Sequence, residues 1–391
     1  MTSSSPNQAS EDATRSDTAI DFLYLSEPDM IRAGVTDMPR CVETMEEVLA
    51  LLHTGDYRMA GDNNDSHGAL VLFPAESEFP DMPLATPDRR FMAMPAYLGG
   101  SFGQAGVKWY GSNIANRDKG LPRSIHTFTL NDADTGAPLA IMSANLLSAY
   151  RTGAIPGVGA KYFAPEDAKV VGIQGPGTMA KTSLAAFMAV RPGIETVKVL
   201  GRGRDSLDAF TAWVGRHFPQ LLVEEVDSLE AVVRDSDIVT FCASGVPNDP
   251  AQYPTVERAW VKPGAFLSMP AAVNIDAGME APEVRKVVDN YGLYEAWADE
   301  NPAPTHRYIP ILGCRFTDLV AEGKLARTDI EDMGAVVTGQ APGRKSAEEI
   351  VLYSVGGMPV EDVAWASVVY RNAIEQGIGV QLNLWDTPEL A

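Results

Sequence analysis

Residues 170–180 read VVGIQGPGTMA, and this stretch decides the fold of the middle of the chain. An apolar run ends in Gly175-x-Gly177-x-x-Ala180, and a helical pattern follows directly. Gly175 permits the tight turn, Gly177 lets the backbone approach a pyrophosphate, and Ala180 allows close packing of helix on strand. The free N–H groups at the helix start favour phosphate. The stretch predicts a dinucleotide-binding loop whose contacts come from Gly175, Gly177, Thr178 and Met179.

Outward from this loop, strand and helix patterns alternate from about Lys169 onward. The strand patterns are AKVVGIQG, TVKVLGRG, LLVEEV, DIVTFCAS and GAFLSMPA. Such alternation is typical of a parallel, doubly wound α/β sheet, the Rossmann arrangement. Ala243 and Ser244 end the fourth of these patterns and are expected at the cofactor as well.

The second strand pattern bears on the choice of cofactor. An NAD site usually places an acid at its end, on the ribose 2′-hydroxyl. Here TVKVL is followed by Gly201-Arg202-Gly203-Arg204, and the first acid is Asp205. Two guanidinium groups suit a 2′-phosphate, so Arg202 and Arg204 predict NADP(H) rather than NAD(H). The alternative is a solvated basic turn.

Composition excludes several classes of function. The chain has 391 residues, with 31 basic and 52 acidic side chains and a net charge of −21. Nucleic acid and anionic lipid both demand a basic surface, so neither is an expected partner. No apolar run is long enough for a membrane span. The three cysteines lack CxxC spacing and the five histidines show no paired spacing, so no metal site is predicted.

Two cations stand in apolar surroundings outside the alternating region. Lys108 lies inside the strand pattern AGVKWYG, and Arg151 lies in the small-residue helical pattern SANLLSAYRTGAIPGVGAK. An isolated buried cation is costly unless it is paired. Together the two residues indicate a site for a substrate carboxylate, and structural ion pairs are the alternative.

Several motifs in order resemble the ornithine cyclodeaminase/μ-crystallin family over residues 20–385. They are MPAY (94–97), GVKW (106–109), LPRS (121–124), LNDADTGAPLA (130–140), SAYRTGA (148–154), GIQGPGTMA (172–180) and TGQAPGRKSAEEIVLYSVG (338–356). The resemblance implies a homodimer with a Rossmann domain and an α+β substrate-binding domain that also dimerises. It also implies that Lys108 and Arg151 hold the substrate carboxylate.

On this basis we expect three segments of chain. Residues 1–18 form a disordered leader without a secretory signal, which favours a cytoplasmic protein. Residues 19–150 and 330–391 form the substrate-binding and dimerisation domain, and residues 151–329 form the Rossmann domain. Helical patterns are expected after residue 330, at SAEEIVLYS and VEDVAWASVVYRNAIEQG.

Departures from the cyclodeaminases indicate the activity. Their Pro-Gly-Lys is absent from SMPAAVNIDAGME, and the glutamate that precedes their Met-Pro pair is absent from RRFMAMP. The pattern is closer to the imine reductases and opine-type dehydrogenases. We therefore expect NADP(H)-dependent reduction of an imine beside a carboxylate in a small amino, imino or keto acid. Asp276 is either an acid/base residue or a helix N-cap. The alternative functions are cyclodeamination and non-catalytic NADP-dependent ligand binding.

Overall fold

The computed structural model describes residues 17–86, 88–243 and 249–390. Ser244 and nearly all of the expected leader lie outside the described residues. The described chain forms two large sheets with helices between and around them.

The first sheet is mainly antiparallel and has eight strands among the described residues. These are β1 (Ile20–Leu25), β2 (Tyr57–Met59), β3 (Ala69–Leu72), β4 (Arg90–Leu98), β5 (Gln104–Ser112), β6 (Ser124–Asp132), β7 (Pro138–Ser143) and β18 (Val380–Trp385). Their order is β18-β1-β7-β6-β5-β4-β2, and β3 shares the free edge of β4 with β2. Only the β1–β7 pair is parallel within this described sheet. Burial alternates along β4 and β5, so one face meets the protein interior.

The second sheet is wholly parallel in the described chain. Its strands are β8 (Val170–Gln174), β9 (Thr196–Leu200), β10 (Leu222–Glu225), β11 (Ile238–Phe241), β13 (Phe266–Met269), β15 (Arg285–Val288), β16 (Ile330–Asp332) and β17 (Val351–Ser354). Their order is β10-β9-β8-β11-β13-β17-β15-β16. All five strand patterns predicted here are present, and the Rossmann-type α/β fold is confirmed. The short strands β12 (Thr255–Val256) and β14 (Asn274–Ile275) pair separately.

The end of this sheet corrects two expectations. SAEEIVLYS was expected to be helical, but its last four residues form β17, which is completely buried between β13 and β15. A four-residue apolar run fits a buried strand as well as a helix, and the neighbouring strands decide. The expected domain boundary at residue 329 therefore falls inside the parallel sheet. The chain leaves this sheet only after Ser354.

The helices lie between and around the two sheets. They are α1 (Glu27–Arg32), α2 (Met38–Thr54), α3 (Asn145–Phe163), α4 (Thr178–Val190), α5 (Arg204–His217), α6 (Leu229–Val233), α7 (Ala277–Glu280), α8 (Tyr291–Glu300), α9 (Leu312–Ala321), α10 (Met333–Val337) and α11 (Pro359–Gln376). No helix in the described ranges is both long and apolar enough to cross a membrane.

Helix α3 joins the first sheet to the second because its glycines allow close packing. A Cβ at Gly153 would lie 2.4 Å from the Cβ of Thr182 in α4, and a Cβ at Gly157 would lie 2.7 Å from that of Ala186. Contacts this close exclude larger side chains at both positions. The helix that carries Arg151 is thereby fixed against the helix that follows the dinucleotide loop.

Candidate functional site

Lys108 and Arg151 meet in a buried cluster with two carboxylates. The Lys108 Nζ lies 2.7 Å from Oδ2 of Asp362, and Nε of Arg151 lies 2.9 Å from Oδ1 of the same carboxylate. Nη1 of Arg151 lies 2.6 Å from Oε2 of Glu361. Lys108 and Arg151 are 2% and 4% exposed, and both acids are completely buried. We call these four residues the charge cluster.

Three elements bring the charge cluster together. Lys108 is on the inner face of β5, where it donates to Oγ of Ser148 at 3.1 Å. Ser148 lies one turn before Arg151 on the same face of α3. Glu361 and Asp362 lie in the first turn of α11, whose start also favours negative charge. The fold thus brings three segments that are far apart in sequence to one buried site.

Burial and neighbouring charges shift the ionisation of the charge cluster. Burial, followed by the nearby Arg151, lowers the pKa of Lys108 to about 8. Burial raises the pKa of Glu361 to about 7, and the charges of Asp289 and Asp362 act in the same direction against Arg151. Burial also opposes ionisation of Asp362, but the two cations outweigh it, and its pKa lies below the usual value. Glu361 is therefore the member of the cluster that changes charge near neutral pH.

Donors remain in the cluster after its internal contacts are made. Lys108 donates to Asp362 and Ser148, which uses two of its three N–H groups. Nη2 of Arg151 makes no hydrogen bond to any described residue, and Oε1 of Glu361 is buried without a partner in the described chain. A carboxylate ligand can accept from both cations without breaking the pairs already present.

Asp289 is a third buried acid, and its charge acts on Glu361 of the charge cluster. It follows β15 and accepts hydrogen bonds from the Tyr294 hydroxyl at 2.8 Å and from the backbone N–H of Gly356 at 2.7 Å. Burial raises its pKa to about 6. A Cβ at Gly357 would lie 2.9 Å from Nη1 of Arg151, so the glycine, at φ +74°, lets the backbone pass close to the guanidinium. Asp289 thus holds the turn before α11 and supports the position of Arg151.

Neutral aromatic side chains surround the cations. The ring of His126 lies 4.6 Å from that of Tyr110, and the ring of His67 lies 5.5 Å from that of Trp297. Burial and then the charge of Lys108 lower the pKa of each histidine to about 3. Both histidines are neutral at physiological pH, so they add no charge to the wall of the site.

The structure places Asp276 at the N-terminus of α7, as the alternative expectation had it. Its Oδ1 accepts from the N–H of Met279 at 2.9 Å, and its Oδ2 accepts from the N–H of Arg258 at 3.1 Å. Both oxygens are therefore engaged with backbone. None of the hydrogen bonds of the described chain joins Asp276 to Lys108 or Arg151.

The dinucleotide loop has the geometry that its sequence predicts. Gly175 adopts φ +94°, and a Cβ there would lie 2.5 Å from the backbone N of Ala243. A Cβ at Gly177 would meet no atom of the described residues within 4 Å. In the described chain no side chain caps α4, so the N–H groups of Thr178 and Met179 are available to phosphate there. The loop therefore fits a dinucleotide.

The two arginines after β9 have different surroundings. Arg204 binds Glu225, at the end of β10, through Nη1 at 2.7 Å and Nη2 at 2.5 Å, and its Nε binds Asp208. Arg202 is exposed and makes no hydrogen bond or ion pair with any described residue. The two arginines predicted to bind phosphate therefore differ in their partners. Arg204 already binds an acid, whereas Arg202 binds no described residue.

Sequence reasoning missed the acids of the site. Glu361 and Asp362 look like ordinary first-turn acids of a helix, which stabilise many helix starts. The signal that could have identified them is their position directly before the apolar pattern VAWASVV, which predicts burial on all sides. Asp289, after the strand pattern RKVV, had the same kind of signal.

Known enzymes are similar to this chain over most of its length. The chain is 27% identical over 371 residues to N-((2S)-2-amino-2-carboxyethyl)-L-glutamate dehydrogenase of Staphylococcus aureus, covering 93% of this chain and 99% of the relative. It is 28% identical to Delta(1)-pyrroline-2-carboxylate reductase of Bacillus cereus, over 80% of this chain and 91% of the relative.

A solved structure agrees over almost all of the chain. It is an archaeal alanine dehydrogenase dimer with bound NAD, which matches with a TM-score of 0.72 and 26% identity and covers 94% of this chain and 100% of that one. The family model described as ornithine cyclodeaminase/mu-crystallin matches residues 34–377. The match includes the whole second sheet, the first sheet except β1 and β18, and every member of the charge cluster. The chain belongs to the ornithine cyclodeaminase/mu-crystallin family.

Proposed function

We propose that this protein is an NADP(H)-dependent oxidoreductase that reduces an imine beside a carboxylate. The observation that carries the proposal is that Lys108 of β5 and Arg151 of α3 meet at a buried carboxylate and keep N–H donors for a ligand. Helix α3 packs against α4, the helix of the dinucleotide loop. Relatives that reduce pyrroline-2-carboxylate or oxidise N-substituted amino acids support the same class. The chain is an oxidoreductase acting on carbon–nitrogen bonds.

In this mechanism the charge cluster binds and orients the substrate. Nη2 of Arg151 and the third N–H of Lys108 donate to its carboxylate, which fixes the adjacent C=N carbon. The loop of Gly175 and Gly177 would hold a nicotinamide cofactor, which would supply the hydride for this reduction. The product nitrogen must also gain a proton. Glu361, with a pKa of about 7, holds an exchangeable proton in the same cluster at neutral pH.

NADP(H) is the cofactor supported by the turn after β9. Arg202 offers a guanidinium without a competing acid, and Arg204 can exchange its exposed contact with Glu225 for a phosphate. Solvent screens this exposed contact, so the exchange costs less than breaking a buried ion pair would. No acid stands at the end of β9 itself for the ribose 2′-hydroxyl that NAD presents.

We also propose a homodimer formed through the outer face of the first sheet. Phe91 and Trp109 stack on this face with ring centroids 5.6 Å apart, and they are 40% and 44% exposed. Val71 on β3, which pairs with Phe91, and Ile125 on β6 extend the exposed apolar surface on neighbouring strands. An exposed apolar patch of this kind marks an interface, and the matched archaeal relative is a dimer.

Replacing Arg151 with lysine tests the carboxylate site. The variant keeps the charge that Glu361 and Asp362 require but loses the planar fork, so KM for the imino acid should rise and kcat/KM should fall tenfold to hundredfold. Steady-state NADPH oxidation measures this, and NADPH binding by fluorescence should change little. Arg40→Ala, a surface arginine paired with Glu43, is the control. Unchanged turnover in Arg151→Lys, or ammonia release without net NADPH consumption in the wild type, would refute the proposal.

The pH dependence of substrate binding should follow Glu361. Below about pH 7 its carboxyl is protonated and the charge cluster carries one net positive charge, whereas above that pH the cluster is neutral. Affinity for the carboxylate substrate should therefore fall as pH rises through 7. The charged or titratable groups facing Glu361 are Lys108, Arg151, Asp289, Asp362, Cys41 and Tyr353.

In Glu361→Gln the decline near pH 7 should disappear, and only the later decline from Lys108, near pH 8, should remain. A pH profile of kcat/KM measures both steps. A variant that keeps the wild-type decline near pH 7 would exclude Glu361 as its source.

Arg202→Ala should reduce the preference for NADPH over NADH by tenfold to hundredfold, because a charge-assisted contact to the 2′-phosphate is lost. Steady-state kinetics with both cofactors measure the ratio. Arg234→Ala, an exposed arginine paired with Glu230, should leave it unchanged. Introducing an acid at Gly201 is unsuitable, because a Cβ there would lie 2.8 Å from Pro176. Equal use of NADH and NADPH by the wild type would overturn the assignment.

Trp109→Asp should convert the full-length dimer into a monomer, since it places a charge in the centre of the outer face. Sedimentation at micromolar concentration measures the state. Leu222→Asp changes a comparably exposed apolar residue on β10 and should remain dimeric. A wild-type monomer would contradict the dimer, and a dimeric Trp109→Asp would contradict this interface.

A further inference from the structure

A second cation faces the same side of the first sheet as Lys108. In the β4–β5–β6 register, Lys108 lies between Met94 and Phe128, and the next inward row is Met92, Tyr110 and His126. The row after that is Arg90, Ser112 and Ser124. Side chains two residues apart on a strand point to the same face and lie about 6–7 Å apart. Arg90 therefore stands two rows from Lys108 on one continuous surface.

Tyr110 links the two cations. The Arg90 guanidinium carbon lies 5.9 Å from the centroid of the Tyr110 ring, and the Lys108 Nζ lies 6.0 Å from it. The separation of the two cations therefore cannot exceed these two distances together. The charge of Arg90 also helps to keep both neighbouring histidines, His67 and His126, neutral. Arg90 thus belongs to the electrostatic surroundings of the charge cluster.

The acid that pairs with Arg90 has other partners as well. Asp88 binds Arg90 and also Arg123, and the hydroxyl of Ser112 donates to the same carboxylate. The Asp88 carboxylate is thus shared rather than held by Arg90 alone. Arg90 is 30% exposed in its side chain, so a ligand can approach it.

The alternative role for Arg90 is a purely structural one, in which its ion pair with Asp88 only fixes the start of β4. Such a pair would need one guanidinium and one carboxylate, and it would place no requirement on which face of the strand bears the arginine. Here the arginine is on the inner face, over the ring that also contacts Lys108, with a wall of neutral side chains between the two charges. This arrangement separates two anion-binding points by an uncharged surface.

We propose that Arg90 binds a second carboxylate of the substrate, so that the reaction is one of imino acids with an acidic side chain. The proposal rests on the proposed function, because Lys108 and Arg151 must hold the first carboxylate. Each charge-assisted contact spans about 2.8 Å, and the rest of the separation suits a spacer of a few carbon atoms. Met92 and Tyr110 would line that spacer.

Binding to the protein alone tests the subsite without the reaction. Glutarate and pentanoate have the same chain length but two carboxylates and one, and calorimetry measures both affinities. The wild type should prefer glutarate by tenfold to hundredfold, which is the value of one charge-assisted contact. Arg90→Gln should abolish this preference, and Arg90→Lys should retain part of it. Arg89→Ala is the matched control, since the neighbouring Arg89 instead contacts the carbonyl of Leu84.

Kinetics separate this proposal from the proposed function. Reduction of 2-oxoglutarate with ammonia should exceed that of 2-oxopentanoate with ammonia in kcat/KM, and only the first should fall in Arg90→Gln. Thermal unfolding verifies that each variant is folded. Equal binding of glutarate and pentanoate by the wild type, or a preference that survives in Arg90→Gln, would overturn the subsite. NADPH oxidation with neither substrate despite a glutarate preference would instead count against the proposed reaction and leave the subsite standing.

Discussion

The pairing of two buried cations with two buried carboxylates is the constraint on which the rest of the molecule depends. Asp362 lies 254 residues from Lys108 and 211 from Arg151 along the chain, yet one carboxylate bridges both. Removing one partner from a buried pair typically costs about 3–5 kcal/mol, because the other charge remains without water. The first sheet, α3 and α11 must therefore reach their final positions together. Few other contacts place so strict a demand on three elements at once.

This pairing also explains why the charges of the four residues in the charge cluster nearly balance. Two permanently uncompensated cations in the interior would be costly. Acids that balance the cations stabilise the fold but weaken attraction for an anion. Glu361 relaxes that conflict, because burial and the charges of Asp289 and Asp362 let it give up its charge near neutral pH. Stability and binding are thus divided between two carboxylates, one permanently ionised and one not.

How much the sequence could predict depends on the range of each interaction. The dinucleotide loop was predicted in detail, because Gly175 and Gly177 act through local backbone geometry. Lys108 and Arg151 were predicted as a pair, because a cation in an apolar pattern is conspicuous. Their acidic partners were not predicted, because Glu361 and Asp362 resemble ordinary first-turn acids. The apolar pattern VAWASVV after them indicates burial, but only tertiary contacts show which cations they bind.

The remaining differences have the same origin. The strand β17 was mistaken for a helix, because a run of four apolar residues has no distinguishing period. The contact of Arg204 with Glu225 depends on two parallel strands being neighbours, which the turn sequence does not show. The sequence left two interpretations of Asp276 open. Its two backbone contacts show the helix N-cap.

The position of β17 has a consequence for how the molecule forms. This strand lies between β13 and β15, although it follows both of them in the chain. During synthesis β13 and β15 therefore have an unfilled space between them until Ser354 has emerged. Pairing over such a sequence distance is slow, since a long loop must close first. The same segment continues into α11, so the central strand of the second sheet and the acids of the charge cluster emerge together, and β18 completes the first sheet only afterwards.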